Sequence, residues 1–331
     1  MRKVFKYGLV GVLALIIIAI VGGSFYMLSF SLTPEHNKGK DIPGSYEYML
    51  REYPHIKPWL DSLQTVGALR DTFIINPEGR QLHAIFAEAP EPTDKTAVIV
   101  HGYTDDAIRM LMIGYLYNKE LKYNILLPDL QDQGLSEGPA IQMGWKDRLD
   151  VLRWMKIAND IFKKRYEVKI DSMSSYIYEY TQMVVHGISM GAATTMMVSG
   201  EPQRDFVKCF VEDCGYTSVW DEFSYQLKDM FGLPAFPLMY STSLLCNAKY
   251  GWNFWEASSL KQVKKSELPM LFIHGDADTY VPTWMVYPLY EAKPAPKELW
   301  IVPGATHAMS YKDHPREYTE RVKNFVGKYI H

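Results

Sequence analysis

The chain has 331 residues, 47% hydrophobic and 22% charged, which suits one large globular domain with an appendage and excludes a disordered polymer. A formal charge of −3 lacks the basic footprint on which nucleic-acid binding depends, so no nucleic-acid partner is expected. Three cysteines, Cys209, Cys214 and Cys246, are too few and too scattered for a disulfide scaffold or a zinc site.

The N-terminal segment carries Arg2, Lys3 and Lys6 with no acid. Every residue over 8–23 is then apolar or glycine, and after Ser24 the run resumes with Phe25, Tyr26, Met27 and Leu28. About twenty such residues cross a hydrocarbon core of ~30 Å. Val21-Gly22-Gly23 offers small residues to a signal peptidase, but a cleaved peptide would turn polar at that point, and this one does not. The segment therefore predicts an uncleaved signal anchor over 1–30, with a secreted, cleaved form as the alternative. Basic residues in front keep Met1 cytoplasmic and export the rest of the chain. Removing the three cations from 35 basic residues leaves 32 against 38 acids, so the exported part has a charge of −6 and the helix must do the anchoring.

A polar, turn-rich stretch over 31–56 reads as a tether leading into short helices, and 31–70 as a linking region. A hairpin is expected from strands over 72–75 and 81–86 around Asn76-Pro77-Glu78-Gly79. Short apolar runs come next at 97–100, 124–128, 183–185, 206–211, 270–273 and 299–302. Amphipathic segments separate most of them, at 108–121, 147–165 and finally 315–329. Helix 147–165 is the clearest, with Val151, Leu152, Met155, Ala158 and Phe162 on one stripe, acids at its start and Lys163, Lys164 and Arg165 at its end. The alternation predicts a mostly parallel α/β sheet flanked by helices, with a catalytic domain over 71–331. Two stretches exceed a minimal sheet, 166–180 and about 216–260.

The chemistry concentrates at Gly187-Ile188-Ser189-Met190-Gly191, a G-x-S-x-G between a strand and a helix of small residues. A serine on so tight a turn leaves no room for side chains two positions before or after it. The helix beyond it aims its amides at the site, favouring negative charge there. Its partners come in order: Asp276 or Asp278 after the strand at 270–273, then His307 after the strand at 299–302. All three groups would reach the carboxyl edge of one sheet. His307 would take the Ser189 proton, and the acid would hold the imidazole. Backbone N–H groups of Tyr103 and Met190 are the expected oxyanion donors. His101 reads as structural, His186 and His274 as hydrogen-bonded core residues or supports of the site, and His83 and His314 carry no signal.

Val100-His101-Gly102-Tyr103, Leu127-Pro128-Asp129, Gly134-Leu135-Ser136-Glu137-Gly138, the Ser189 turn, Ile273-His274-Gly275-Asp276-Ala277-Asp278-Thr279-Tyr280-Val281-Pro282 and Gly304-Ala305-Thr306-His307 together resemble the α/β-hydrolase fold. Within it the chain is similar to bacterial serine esterases and to hydrolases related to the acyl-peptidase branch, over about 72–330. The resemblance implies Asp278 as the acid, three residues before Val281-Pro282, and a helical cap inserted at about 216–260. One departure is Gln131-Asp132-Gln133-Gly134, where relatives usually carry Arg-Gly-His-Gly.

These residues predict a serine hydrolase that cleaves small apolar carboxylic esters through a Ser189 acyl-enzyme. The aromatic cap would wall an apolar pocket, and its cations are few (Lys228 and Lys249). Acyl transfer, thioester cleavage and peptide cleavage by the same triad are alternatives, and a non-catalytic binding protein is a further one. The roughly 70 residues before the catalytic domain cannot build a propeller, which weakens a prolyl-peptidase reading. Dehalogenases and epoxide hydrolases of this fold use an aspartate where this chain has Ser189. No glycine-rich phosphate loop or metal-ligand spacing appears, so no cofactor is expected. The expected partners are a small-molecule ester and the membrane.

Overall fold

The apolar runs pair into one eight-stranded sheet in the computed structural model of the protein, which describes residues 2–34, 40–170 and 173–331, and of these the side chains outside 2–5 and 165–178. Arg2, Lys3, Lys38 and Gly39, which entered the reading of the N-terminal segment and tether, thus lie outside the described residues or side chains. In chain order the strands are β1 (Arg70–Ile75), β2 (Gln81–Ala87), β3 (Lys95–Val100) and β4 (Asn124–Pro128), then β5 (Lys164–Ile170) and β6 (Met173–Glu179). After them come β7 (Gln182–Ile188), β8 (Val207–Asp213), β9 (Met270–Gly275) and β10 (Lys297–Val302). The large sheet has the order β1-β2-β4-β3-β7-β8-β9-β10; β5 and β6 form a separate antiparallel hairpin in the stretch 166–180.

The helices are α1 (Arg2–Leu32), α2 (Ile42–Glu52), α3 (Lys57–Thr65), α4 (Leu111–Tyr115), α5 (Asp147–Phe162) and α6 (Met190–Ser199). They continue as α7 (Val219–Phe231), α8 (Leu238–Tyr250), α9 (Ser259–Val263), α10 (Val286–Ala292), α11 (Ser310–Asp313) and α12 (Pro315–Val326). Two compact units result. One comprises Asn37–Thr217 with Ser259–His331, the other Met1–His36 with Ser218–Ser258.

In the first unit only β2 opposes the other strands of the large sheet; β4, β3, β7, β8, β9 and β10 are parallel. Strands β3, β4, β7 and β9 are buried almost end to end, as apolar runs covered on both faces should be. From β3 the chain continues to β4 on one side, whereas β7 leads to β8 on the other. The carboxyl ends of β3 and β7 therefore open a crevice where strand order reverses, the place where open α/β sheets bind ligands. This is the α/β-hydrolase fold, with a helical insertion between β8 and β9.

Helix α6 is buried along its whole length, which explains its small and apolar residues on every side. Helix α5 buries Val151, Trp154, Met155, Ala158 and Phe162 at helical spacing. It stops at Phe162, short of the predicted 165, because Lys163 is already extended (φ −62°, ψ 140°) and Lys164 opens β5. Of the terminal basic run, Lys163 ends the helix, and Lys164 and Arg165 belong to the strand. Met49 of α2 and Trp59 and Leu60 of α3 join the core beside Ile99 and Ile125. Each such side chain contributes about 1.5–3 kcal/mol of burial.

In the second unit α1 is long and apolar enough over Lys6–Leu32, by length and composition, to cross a membrane. Most of it is exposed, but Ser24, Leu28 and Leu32 form a buried stripe at helical spacing. That stripe packs on α8. The Ser24 hydroxyl donates to Ser241 Oγ at 2.7 Å, and the Phe30 ring meets Phe231 edge-on at 5.5 Å. Ser218 caps α7 by accepting the Asp221 N–H, and Gly232 and Gly251 end α7 and α8 in the left-handed region. Trp220 stacks on Trp255 at 4.6 Å, and Phe223 meets Phe254 edge-on at 5.1 Å, so much of the aromatic content of the insertion packs the insertion itself.

Candidate active site

Ser189 lies between β7 and α6 with φ 57° and ψ −120°, a backbone conformation that side-chain-bearing residues avoid and that costs on the order of 1–3 kcal/mol. Two glycines make the turn possible. A Cβ on Gly187 would lie 2.0 Å from the Gly191 carbonyl oxygen, across the turn as the spacing suggests. A Cβ on Gly191 would instead lie 2.1 Å from the Val100 carbonyl oxygen, so that glycine lets α6 approach the end of β3. The Ser189 N–H donates to the Asp213 carbonyl at 2.8 Å, tying the turn to the neighbouring strand β8.

The structure brings Ser189, His307 and Asp278 together from the ends of β7, β10 and β9. Ser189 Oγ lies 2.8 Å from His307 Nε2, and His307 Nδ1 lies 2.7 Å from Asp278 Oδ2. Asp278 Oδ1 accepts the N–H groups of Tyr280 and Val281 at 2.9 and 3.0 Å. Burial alone would raise this carboxyl, but hydrogen bonds from His274 and His307 outweigh it and hold Asp278 below the usual carboxylate range. An ionised Asp278 fixes the proton on His307 Nδ1 and leaves Nε2 to accept from the Ser189 hydroxyl. Asp276 is exposed and accepts the Gly304 N–H at 2.7 Å, joining the loops after β9 and β10.

Met190 is the first residue of α6, so its N–H has no partner within the helix and faces the turn. Tyr103 comes directly after Gly102, where a Cβ would lie 3.6 Å from that of Ser189. His101 positions that loop. Its Nε2 accepts the Leu130 N–H at 2.9 Å, so its proton sits on Nδ1, which donates to the Gly102 carbonyl at 2.8 Å. Burial lowers its pKa and keeps it neutral. Likewise His186 is buried between the hydroxyls of Tyr117 and Tyr318, and burial pushes it down to about 3.

Two contributors, Gln133 and Tyr280, escaped the sequence, and the partners of a third, His274, were not legible there. Gln133, inside the departure from the family pattern, donates from Nε2 to the Gly102 carbonyl at 3.3 Å and so braces the loop of Tyr103. Tyr280 lays its ring 4.9 Å from the His307 imidazole. His274 is buried with Nε2 2.9 Å from the Val281 carbonyl and 3.4 Å from Asp278 Oδ2. All three stood inside quoted motifs, but only their partners reveal what they do. Cys214, Asp278 and His307 have ligand atoms within 4.8 Å of one another. This group is poorly suited to a metal, because burial drives the Cys214 thiol far up and Asp278 and His307 already bond each other. Cys209, Cys214 and Cys246 are all free and buried.

The model of the prolyl oligopeptidase family matches residues 161–331. Among curated proteins, the chain is 29% identical over 238 residues to the uncharacterized protein YqkD of Bacillus subtilis, covering 72% of this chain and 73% of that one. It is 23% identical over 208 residues to the uncharacterized protein YfhR of Escherichia coli K12, covering 62% and 61%. Among solved structures it resembles the esterase Pf2001 of Pyrococcus furiosus, with TM-score 0.61, 22% identity, and 81% and 96% of the two chains covered. It also resembles Est1E of Butyrivibrio proteoclasticus, with TM-score 0.55, 18% identity, and 78% and 98% covered.

Proposed function

Since the chain belongs to the prolyl oligopeptidase family and is in general terms a serine hydrolase of the α/β-hydrolase fold, we propose that it cleaves small, uncharged carboxylic esters through an acyl-enzyme on Ser189. The observation that carries this reading is the hydrogen-bonded chain from Ser189 Oγ through His307 to Asp278. His307 Nε2 takes the Ser189 proton as Oγ attacks the ester carbonyl carbon. The N–H groups of Tyr103 and Met190 receive the developing oxyanion, and Asp278 stabilises the imidazolium. The imidazolium then protonates the departing alcohol. Water, deprotonated by the same nitrogen, attacks the acyl-enzyme and releases the acid.

Support for an ester comes from the esterase neighbours in Pyrococcus furiosus and Butyrivibrio proteoclasticus. Support for an uncharged one comes from the uncharged side chains beside the triad, Tyr103, Met190 and Tyr280. The domain plan belongs to the same proposal: a signal anchor over 1–30, a linking region over 31–70, and an exported catalytic domain over 71–331 with its cap at about 216–260. The family name favours a second reading, cleavage of aminoacyl amides by the same triad.

The test is kcat/KM across p-nitrophenyl esters from acetate to palmitate beside aminoacyl p-nitroanilides. Short esters should lead; a clear preference for the amides or the longest chains would overturn the substrate class. Ser189→Ala should abolish both turnover and labelling by a fluorophosphonate while the protein stays folded. Undiminished labelling of that variant would remove Ser189 from the mechanism.

A further inference from the structure

The unit that holds α1 also carries an exposed apolar surface that packing inside the unit leaves open. Residues 230–248 contain no charged side chain. Met230, Phe231, Leu233, Phe236, Tyr240 and Leu244 are all exposed there, Phe236 at 72% and Leu244 at 64%. Tyr240 and Leu244 stand four residues apart on α8, and the Phe236 ring, just before the helix, meets Tyr240 edge-on at 5.8 Å, so the three border one face. Scattered apolar residues on a surface need no explanation, but a contiguous uncharged patch marks a binding surface.

We propose that this face, at the end of α7 and along α8, lies in the headgroup layer of the bilayer that α1 crosses, so that the insertion is docked on lipid. The inference rests on the reading of α1 as a membrane span. Its observations are continuity and depth. The 27 residues Lys6–Leu32, apolar on average, extend about 40 Å, some 10 Å more than the hydrocarbon core, so the last turns of α1 emerge at the interface. Those turns and the one just before them hold α8: Phe30 meets Phe231 in the emerging part, and at its inner margin Ser24 bonds Ser241 and the Leu238 side chain closes on Gly23. The insertion is therefore fixed at interfacial depth by the helix itself. Phe25 and Tyr26, exposed on another part of α1, suit the aromatic belt at that depth. Helix α8, with 13 residues and about 20 Å, is too short to span and suited to lying in the interface plane.

The test uses the full chain in lipid nanodiscs. The three native cysteines are buried, so an unsubstituted chain provides the labelling blank. Single variants Phe236→Cys, Leu244→Cys, Ile16→Cys and Lys323→Cys are labelled with bimane, checked for folding by circular dichroism, and read against nitroxide-bearing phosphatidylcholine. Label at Phe236 and Leu244 should be quenched at least about twofold more than at exposed Lys323, as for side chains about 5–10 Å into the headgroup boundary. Quenching at Ile16 without quenching at Phe236 and Leu244 would overturn the docking and leave the span intact. Quenching at neither region would overturn both. Quenching at Phe236 and Leu244 alone would keep the docking and refute the span. Pyrene excimers between Phe236→Cys copies, with no lipid quenching, would assign the face to a second copy instead.

Discussion

At the scale of single residues the site divides by hydrogen-bond partners, not by residue type. Asp276 and Asp278 stand two apart on one loop, yet one bonds the Gly304 N–H in solvent and the other bonds His307 in a buried setting. Asp278→Asn should lower kcat on the order of ten-thousand-fold, because an amide cannot hold the right tautomer, while Asp276→Asn should cost far less. Steady-state kinetics of the two variants checks this; greater damage from Asp276→Asn in a folded protein would reverse the assignment. His83 shows the limit of residue-level reading. Nothing beside it in sequence signals a role, yet Nδ1 lies 2.6 Å from Asp129 Oδ2 and Nε2 lies 2.8 Å from Asp71 Oδ1. Burial opposes the charged ring, but the two carboxylates outweigh it and raise the His83 pKa. A raised folded-state pKa adds stability that is complete below about 6.5 and lost as pH climbs through the folded value. Asp129 is as buried as His83 whereas Asp71 is exposed, so the first pairing dominates. His83→Gln should destabilise by about 3–5 kcal/mol at pH 6 and lose less on going to pH 9 than the parent does. Thermal unfolding of both proteins across that range measures it; parallel pH profiles would refute the ion pair.

Elements were legible where a single pattern governed them. The runs at β3, β4, β7 and β9 are short, apolar and buried along most of their length, so their apolar continuity announced them. The turn at Ser189 was legible because its geometry restricts residue type. Its second glycine had a different reason from the one its spacing suggested, since Gly191 yields to Val100 and not to Gly187. Gly191→Ala would drive a Cβ into a backbone carbonyl that cannot swing aside, so it should cost about 1–3 kcal/mol and most of the activity. Denaturant melts and fluorophosphonate labelling of the variant measure both; a stable, fully reactive protein would show that α6 can retreat from β3. The end of α5 was misplaced because lysines and arginine suit a helix C-terminus and a strand start equally, and only the backbone at Lys163 separates the two. Gln131 and Gln133 looked like a gap in the family pattern; in the fold Gln131 pairs with Asp150 at 2.6 Å and Gln133 with Gly102. Those partners are distant in sequence, which is why no local pattern could name them.

At the scale of the whole molecule, the reading of α1 leads to a direct test of location. After an alkaline carbonate wash the protein should stay in the membrane pellet and retain its N-terminal residues, since a span of this length does not depend on charge for its hold. A soluble chain beginning near Ser24 would establish cleavage instead. Exported chains often lean on cross-links formed in an oxidising compartment, but here Cys209, Cys214 and Cys246 are buried and unlinked. The fold thus draws no support from a disulfide, and its stability should not follow redox poise. Because a buried thiol reacts only when its surroundings open, the pace at which these three yield to an alkylating reagent becomes a clock for how often the interior breathes.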